Sequence, residues 1–340
     1  MIKPQLQRAI DGATFSEEEA EYIMDQIMTG NVNESQLSSL LTILRIRGET
    51  VDELTGFAKS MRSHAVHFPE KLHDAVDTCG TGGDGSSTFN ISTAAAIVMS
   101  AMGVKVAKHG NRSFSSKSGS ADVLERLNIP TQSGVEEAMR ALKSHSMTFL
   151  FAPLYHPAMK HAIQPRKDIG FRTVFNILGP LSNPAGCDRQ LIGVYNQELA
   201  QKMAKVVQRL GIEKALIVSG ADGLDEMTIT TTTNVLIVTP YSIQSSEVNP
   251  VEVGLELGSL NDIQVNSPEK SAQLIQQVFH NETNRSAKNI VILNAAAGLI
   301  AAGRSESFEK AVPIVKEALE TGLVLNHYLS MKGKKERSYA

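Results

Sequence analysis

A chain of 340 residues with 42% hydrophobic content can bury a full core and suggests two domains or one large α/β domain. Its formal net charge of −3, with Lys and Arg spread along the chain, gives no bulk electrostatic reason to expect nucleic acid or a membrane surface, so any anion must be held by local chemistry. No charged-then-apolar leader opens at Met1-Ile2-Lys3-Pro4 and no apolar run approaches ~18 residues, so neither export nor membrane insertion is expected and the cytoplasm is the expected compartment.

Residues 1 to about 65 read as helices. Ser16-x-x-Glu19, Asn33-x-x-Gln36 and Thr50-x-x-Glu53 have the form of capping boxes, in which side chains satisfy the open N–H groups of a helix start. Each opens a segment with apolar residues at helical spacing: Ala20, Ile23, Met24 and Ile27; Leu37, Leu40, Leu41 and Leu44; Val51, Leu54, Phe57, Ala58 and Met61. Gly30 and Gly48 end the first two. No chemistry shows in this unit, and its expected roles are packing, hinge support or a subunit interface.

From about 73 the texture changes to short apolar runs separated by helical stretches. The first run ends in residues 77–93, Asp-Thr-Cys-Gly-Thr-Gly-Gly-Asp-Gly-Ser-Ser-Thr-Phe-Asn-Ile-Ser-Thr, which lead directly into apolar Ala94 to Met99. This reads as a strand end, a glycine loop and a helix. Glycines let main-chain N–H groups converge on an anion, Ser86, Ser87, Thr88, Ser92 and Thr93 add hydroxyls, and the helix N-terminus favours negative charge. Such a loop suits phosphate. Gly80-x-Gly82-x-x-Gly85 formally matches a dinucleotide fingerprint, but the acidic residue expected about 20 positions on is replaced by the basic and apolar stretch Lys105 to Lys108; nor does any Gly-Lys-Ser/Thr occur to make a nucleotide-triphosphate loop.

Val104 to Ala107, Met147 to Phe151, Leu191 to Tyr195, Ala215 to Val218 and Val235 to Val238 read as further strands, and their alternation with helices argues for a mainly parallel sheet with ligands at the carboxyl ends of its strands. After the run ending at Ala107 comes a loop of cations, an amide and hydroxyls, residues 108–122, placed before a helix at Ala121 to Leu127. After the run ending at Val218 comes Ala221-Asp222-Gly223-Leu224-Asp225-Glu226, whose carboxylates suit a hard cation, magnesium above all, when phosphate oxygens complete the shell. Ala295 to Ala302 has the small residues of a closely packed helix, and Lys332 to Ala340 reads as a solvated tail. Cys79 and Cys187 are too few for a disulfide framework and lack paired metal spacing, so both are expected to be reduced.

Gly-Thr-Gly-Gly-Asp with Thr-Phe-Asn-Ile-Ser-Thr, then Lys-His-Gly-Asn-Arg-Ser, Gly-Ser-Ala-Asp-x-Leu-Glu, Arg-Thr-x-Phe-Asn-x-Leu-Gly-Pro-Leu-x-Asn-Pro-Ala and Asp-Gly-Leu-Asp-Glu follow one another over nearly the whole chain. In this series the chain closely resembles the anthranilate phosphoribosyltransferases of tryptophan biosynthesis. The resemblance implies a nucleoside phosphorylase-like α/β fold: a small helical domain at 1–70, joined by about 160–185, a larger domain at 73–335 with a mainly parallel sheet, and a tail at 336–340. It further implies a homodimer through the helical domain and magnesium, two ions per monomer.

By position, the resemblance assigns 5-phosphoribosyl 1-pyrophosphate to Gly80, Gly83, Asp84, Thr88, Asn90, Ile91, Ser92, Thr93, Lys108, His109, Gly110, Asn111, Arg112, Ser113, Phe114, Ser115, Ser116 and Ser120. Gly80, Asn111 and Arg166 are expected to meet anthranilate, with His109 lining its channel, and Ser92, Asp225 and Glu226 to hold the metal. Arg166 lies in Gln164-Pro165-Arg166, where many relatives have Pro-Val-Arg, and Thr228 to Thr233 is unusually threonine-rich. An arylamine is already unprotonated near neutral pH, so catalysis is expected to be distributed, with Lys108, Arg166 and the metal ligands contributing and no single acid or base. A pyrimidine-nucleoside phosphorylase of the same fold and a non-catalytic nucleic-acid-binding relative are the alternatives.

Overall fold

The structure is a computed structural model that describes residues 2–113 and 117–333. The chain opens with α1 (Lys3–Ile10), α2 (Glu17–Met28), α3 (Glu34–Arg47) and α4 (Val51–Ser63). At Ser16 and Thr50 the capping box closes in both directions, with Glu19 and Glu53 accepting the cap residue's own N–H. Asn33 makes one direction of it, accepting the Gln36 N–H at 2.9 Å. Glu53 also takes the Phe15 N–H and the Arg47 guanidinium, so this fully buried carboxylate has a hydrogen-bond partner for each role burial demands.

The sheet begins with β1 (Ala75–Gly80), followed by α5 (Ile91–Ala101), β2 (Lys105–Gly110), α6 (Ser120–Arg126), α7 (Val135–His145) and β3 (Met147–Phe151). Next come α8 (Ala152–Tyr155), α9 (Lys160–Ile169) and α10 (Val174–Leu178), then β4 (Arg189–Gly193), α11 (Gln197–Arg209), β5 (Lys214–Gly220), β6 (Thr233–Val238) and β7 (Ile243–Val248). Four helices close the described chain: α12 (Pro268–Phe279), α13 (Arg285–Ala301), α14 (Phe308–Glu320) and α15 (Leu323–Met331). Among the described residues the strands form one seven-stranded sheet in the order β3-β2-β1-β4-β5-β6-β7. The pairs from β3 through β5 are parallel, and β6 and β7 are antiparallel. Each strand expected from the sequence is present with ends moved by a few residues, while β7 is an addition at the edge.

From β1 the chain steps outward through β2 to β3, then returns to the other side of β1 with β4 and β5. Strand order therefore reverses between β1 and β4, whose terminal Gly80 and Gly193 are register partners. A crevice opens at the carboxyl ends of the strands at such a reversal, which is where ligands settle in open α/β sheets. One face of the sheet is covered by α5 and α12 to α15. The small residues of α13 allow close approach there, since a Cβ on Gly298 would collide with the Met99 thioether of α5. Across the other face lies a continuous apolar cluster that joins α11 to α2, α3 and α4. Although they fall between β3 and β4 in sequence, α9 packs on α3 and α2, and α10 on α4 and α3. No helix among the described residues is long and apolar enough to cross a membrane.

Candidate active site

The glycine loop joins the end of β1 to the start of α5. Gly82, Gly83 and Gly85 have φ of +64°, +94° and +70°, conformations that side-chain-bearing residues rarely adopt. Downstream, the Ser86 carbonyl accepts from the Gln264 amide (2.8 Å), the Ser87 carbonyl from the Val265 N–H (2.8 Å), and Phe89 donates to the Ile263 carbonyl (2.9 Å). Thr88 pairs with Gln264 in the same ladder. Asp84 turns back on Ser86, accepting its N–H at 3.3 Å and its hydroxyl.

Asn90 is a brace: its side-chain oxygen takes the hydroxyls of Ser118 (2.7 Å) and Ser271 (2.9 Å), tying the loop to the segment before α6 and to α12. Asn90 makes no side-chain cap bond; instead its carbonyl takes the N–H groups of Thr93 (3.1 Å) and Ala94 (3.0 Å), while Ile91 donates to the Phe89 carbonyl (2.7 Å). Ile91 and Thr93 bury their side chains in the core, which leaves Ser92 as the side chain of this turn engaged at the site.

Beneath the loop, β2 places Lys108, only 2% exposed, so that its ammonium donates to the Thr78 carbonyl and to the Ser92 hydroxyl (3.2 Å). Burial pushes the Lys108 ammonium down, opposed by the charges of Asp77, Cys79 and Glu226. Asp77, fully buried on β1, accepts the His109 N–H at 3.1 Å; burial pushes its carboxyl up, against a hydrogen bond from Asn183 and the charge of Lys108. Cys79 and Cys187 are free thiols, both pushed well up by burial.

His109 and His156 stand 5.1 Å apart, their rings hydrogen-bonded to the carbonyls of Gly179 (3.4 Å) and Ser182 (2.9 Å). Burial lowers them to about 3 and about 4, so both are neutral near pH 7. The buried Nε2 of His109 has no partner among the described residues. The cationic loop then turns toward α6. Arg112 reaches Asp122 (2.8 Å) and Glu125, Ser113 donates its N–H to Asp122 (3.1 Å), and the Ser120 hydroxyl donates to the Asn111 carbonyl (3.3 Å). Gly110 lies against Ser120 and Phe149, where a Cβ would not fit. Phe114, Ser115 and Ser116 fall outside the described residues.

The acidic turn after β5 divides its carboxylates. Asp222 is consumed by the threonine-rich stretch: it accepts the hydroxyls of Thr228 (2.7 Å) and Thr230 and the Leu224 N–H (3.2 Å). Asp225, 9% exposed, instead enters the space left by Gly80 and Gly193, where a Cβ on either glycine would run into it. Met227 is fastened by Asn294 of α13 through two bonds of 2.9 Å. Burial pushes Asp225 up to about 7, helped by the charge of Asp84 and opposed by the Gly82 N–H and Arg172. Burial likewise pushes Glu226 up to about 8, helped by Asp225 and opposed by Lys108 and the Ser92 N–H. Two adjacent buried carboxyls that resist ionisation, with a hydroxyl nearby, form a hard oxygen set that fits magnesium. Among the described residues no cluster of three or more His, Cys, Asp or Glu makes a complete cage, and phosphate oxygens would share the shell as they commonly do for this ion.

The structure thus gathers Gly80, Gly83, Asp84, Ser92, Lys108, Asp225 and Glu226 around the switch point, with His109 beside them. Arg112 is engaged on α6. Arg166 is half-buried on α9 over the Phe175 ring, 5.3 Å from its centroid, and burial lowers its guanidinium. Sequence reasoning did not single out Arg172, which donates to the Thr81 carbonyl (2.6 Å), or the supporting Asp77 and Gly193. Only the presence of Arg172 in the quoted Arg-Thr-x-Phe-Asn motif pointed its way.

A glycosyl transferase family α/β domain matches residues 72–325, and the helical bundle domain of a glycosyl transferase family matches 3–65. The anthranilate phosphoribosyltransferase of Halalkalibacterium halodurans is 53% identical over 98% of this chain and 97% of its own length; that of a Geobacillus species (strain WCH70) is 52% identical over 100% of both. Among solved structures, the Thermus thermophilus enzyme has a TM-score of 0.87 at 37% identity, covering 96% of this chain and 97% of its own. The Saccharomyces cerevisiae enzyme, in complex with 5-phosphoribosyl 1-pyrophosphate and magnesium, has a TM-score of 0.85 at 26% identity, covering 96% and 95%. With half its residues shared along its whole length and the same fold, the chain belongs to the anthranilate phosphoribosyltransferase family.

Proposed function

We propose that this chain transfers the 5-phosphoribosyl group from 5-phosphoribosyl 1-pyrophosphate to the amine of anthranilate, giving N-(5-phosphoribosyl)anthranilate and pyrophosphate in L-tryptophan biosynthesis. One observation carries the reading: 52% identity along all 340 residues with a relative of that activity. The glycine loop meeting a buried carboxylate pair at the sheet's switch point is the geometry such a reaction needs.

In the reaction the anthranilate nitrogen bonds to C1 of the ribose as the bond from C1 to the pyrophosphate oxygen breaks, its electron pair leaving with pyrophosphate. Glycine-loop N–H groups, the start of α5 and the residues from Lys108 to Ser116 with Ser120 hold the pyrophosphate substrate by main-chain and hydroxyl donors. Asp225, Glu226 and Ser92 hold magnesium, two ions per monomer, which supplies positive charge opposite the charge growing on pyrophosphate. Gly80, Asn111 and Arg166 receive anthranilate, the arginine facing its carboxylate, and His109 lines the approach as a neutral ring. Arylamine nitrogen is unprotonated near pH 7, so the chain's task is positioning and charge stabilisation, with no strong base required.

The same reading makes residues 1–70 with about 160–185 one helical unit of a cytoplasmic homodimer and 73–335 the catalytic domain. Exposed Ile10 and Ile46, the latter 82% exposed, support an interface on that unit. The test mixes purified protein with anthranilate, magnesium and 5-phosphoribosyl 1-pyrophosphate and follows anthranilate fluorescence beside pyrophosphate release. A loss of signal that requires every component, matched by pyrophosphate, is expected; folded protein that gives neither rejects the assignment.

A further inference from the structure

Thr81 and Gly82 share a peptide group that is gripped at both ends. Its carbonyl accepts from Arg172 Nη2 at 2.6 Å, and its N–H donates to Asp225 Oδ2 at 2.6 Å. The guanidinium also lies along the next residues: a Cβ at Gly83 would collide with it, and one at Gly82 would stand 3.5 Å from Nη1. Behind it is Tyr195, whose ring centroid is 6.0 Å from Arg172 Cζ. Arg172 belongs to the connection between α9 and α10, both packed on the N-terminal helices, whereas Thr81, Gly82 and Asp225 belong to the switch point of the sheet. The contact therefore ties two parts of the molecule together across 91 residues of sequence.

A peptide that leads into two successive glycines at positive φ, Gly82 and Gly83, is held in its orientation less firmly by its own backbone. A permanently charged guanidinium on the carbonyl adds to that hold, because charge-assisted bonds are about twice as strong as neutral ones. Polarising the carbonyl also strengthens the N–H of the same peptide as a donor to Asp225. We propose that Arg172 is a positioning residue for the phosphate-binding loop: it fixes the Thr81–Gly82 peptide so that the Gly82 N–H stays on Asp225 and the loop donors stay aimed at pyrophosphate. This rests on the reading of the loop as the pyrophosphate site. Its consequence is a selective one, since the peptide touches the carboxylate and the loop but not Arg166, the residue read as facing anthranilate.

The experiment compares Arg172→Ala, Arg172→Lys, Gly83→Ala and the Gly83→Ala/Arg172→Ala double variant with the parent enzyme, reading KM for each substrate, kcat and the magnesium concentration for half-maximal rate. Arg172→Ala is expected to raise KM for 5-phosphoribosyl 1-pyrophosphate about tenfold to a hundredfold and to raise the magnesium requirement, with KM for anthranilate within about twofold. Lysine keeps the charge but not the planar fork and recovers only part of the loss, and it carries the same test if the alanine variant does not fold. A methyl at Gly83 displaces the guanidinium, so the double variant is expected to be little worse than either single one. An unchanged KM for the pyrophosphate substrate, a loss shared equally with anthranilate, or additive single effects would each overturn the proposal while the parent enzyme remains active. An inactive parent enzyme would instead reject the phosphoribosyl reading and this inference with it.

Discussion

Replacing Lys108 with methionine removes a cation that is 2% exposed and acts on two buried carboxyls, Asp77 and Glu226. Methionine fills much of the lysine stem, so the change is chiefly electrostatic. The Lys108 ammonium donates to the Thr78 carbonyl and the Ser92 hydroxyl, and losing two charge-assisted hydrogen bonds at about 1.5–3 kcal/mol each costs about 3–6 kcal/mol. Spread over the 72–325 segment at an unfolding entropy of about 2.1 cal/mol/K per residue, that is a fall in Tm of about 6–11 °C. The fall should depend on pH, with a defined sign. Burial raises Glu226 to about 8, far above its value of about 4.3 in an unfolded chain, so between those limits the folded state holds a proton that the unfolded state has released. Stability is therefore lost as pH rises through this window. Lys108 opposes the shift, and without it the loss extends further. Scanning calorimetry of metal-free protein at pH 6 and pH 8 should show a larger Tm deficit for Lys108→Met at pH 8. Adding Glu226→Gln to the variant should remove the pH-dependent part. A deficit equal at both pH values, or none at all, would refute the placement of Lys108 as the counter-charge.

The carboxylate pair should separate activity from stability: Asp225→Asn with Glu226→Gln is expected to cut turnover at limiting magnesium by about a hundredfold or more while raising the Tm of the metal-free protein, read by kinetics and calorimetry on the same samples. Arg166→Ala should raise KM for anthranilate and leave that for 5-phosphoribosyl 1-pyrophosphate nearly unchanged; a defect confined to the pyrophosphate substrate would contradict its role. Gly193→Ala puts a methyl into the Asp225 backbone and should cost about 1–3 kcal/mol together with most of the activity, so a fully active, equally stable variant would show that the acidic turn has room to move.

What the sequence reveals here is what is local. Ser16 and Thr50 announce their helices because the partner of each cap lies three residues on. The glycine loop is legible for a related reason, since positive φ at Gly82, Gly83 and Gly85 must be met by residue type at those positions. β7 escaped because Ile243-Gln-Ser-Ser-Glu-Val248 lies exposed along most of its length at the sheet edge, and no buried face imposes an apolar pattern on it. The acidic turn was only half legible. Asp222 and Asp225 look alike in sequence, and what separates them is that threonine hydroxyls reach one while two glycines on neighbouring strands admit the other. Arg172 and Asp77 were silent because their partners arrive from 91 and 32 residues away, a relation that periodicity and spacing do not encode.

On the proposed function, the arrangement also gives a reason for the site to take its anion and its metal together. Loop N–H groups and the start of α5 attract negative charge, yet Asp225 and Glu226 at the same place would repel it once ionised. Their fixed counter-charges are already committed: Lys108 is bonded to the Thr78 carbonyl and Ser92, and Arg172 to the Thr81 carbonyl. Neither cation can leave without releasing the loop it supports. A pyrophosphate brought in alone would therefore meet two carboxyls that burial has pushed toward their neutral forms, and it would bind only by forcing them to stay protonated. A divalent cation held there would favour ionised carboxylates and supply positive charge opposite the phosphates. The raised carboxyls of the crevice are thus the expression of a site whose charges balance only when substrate and metal are both in place, and that imbalance is the stability such a site gives up for its function.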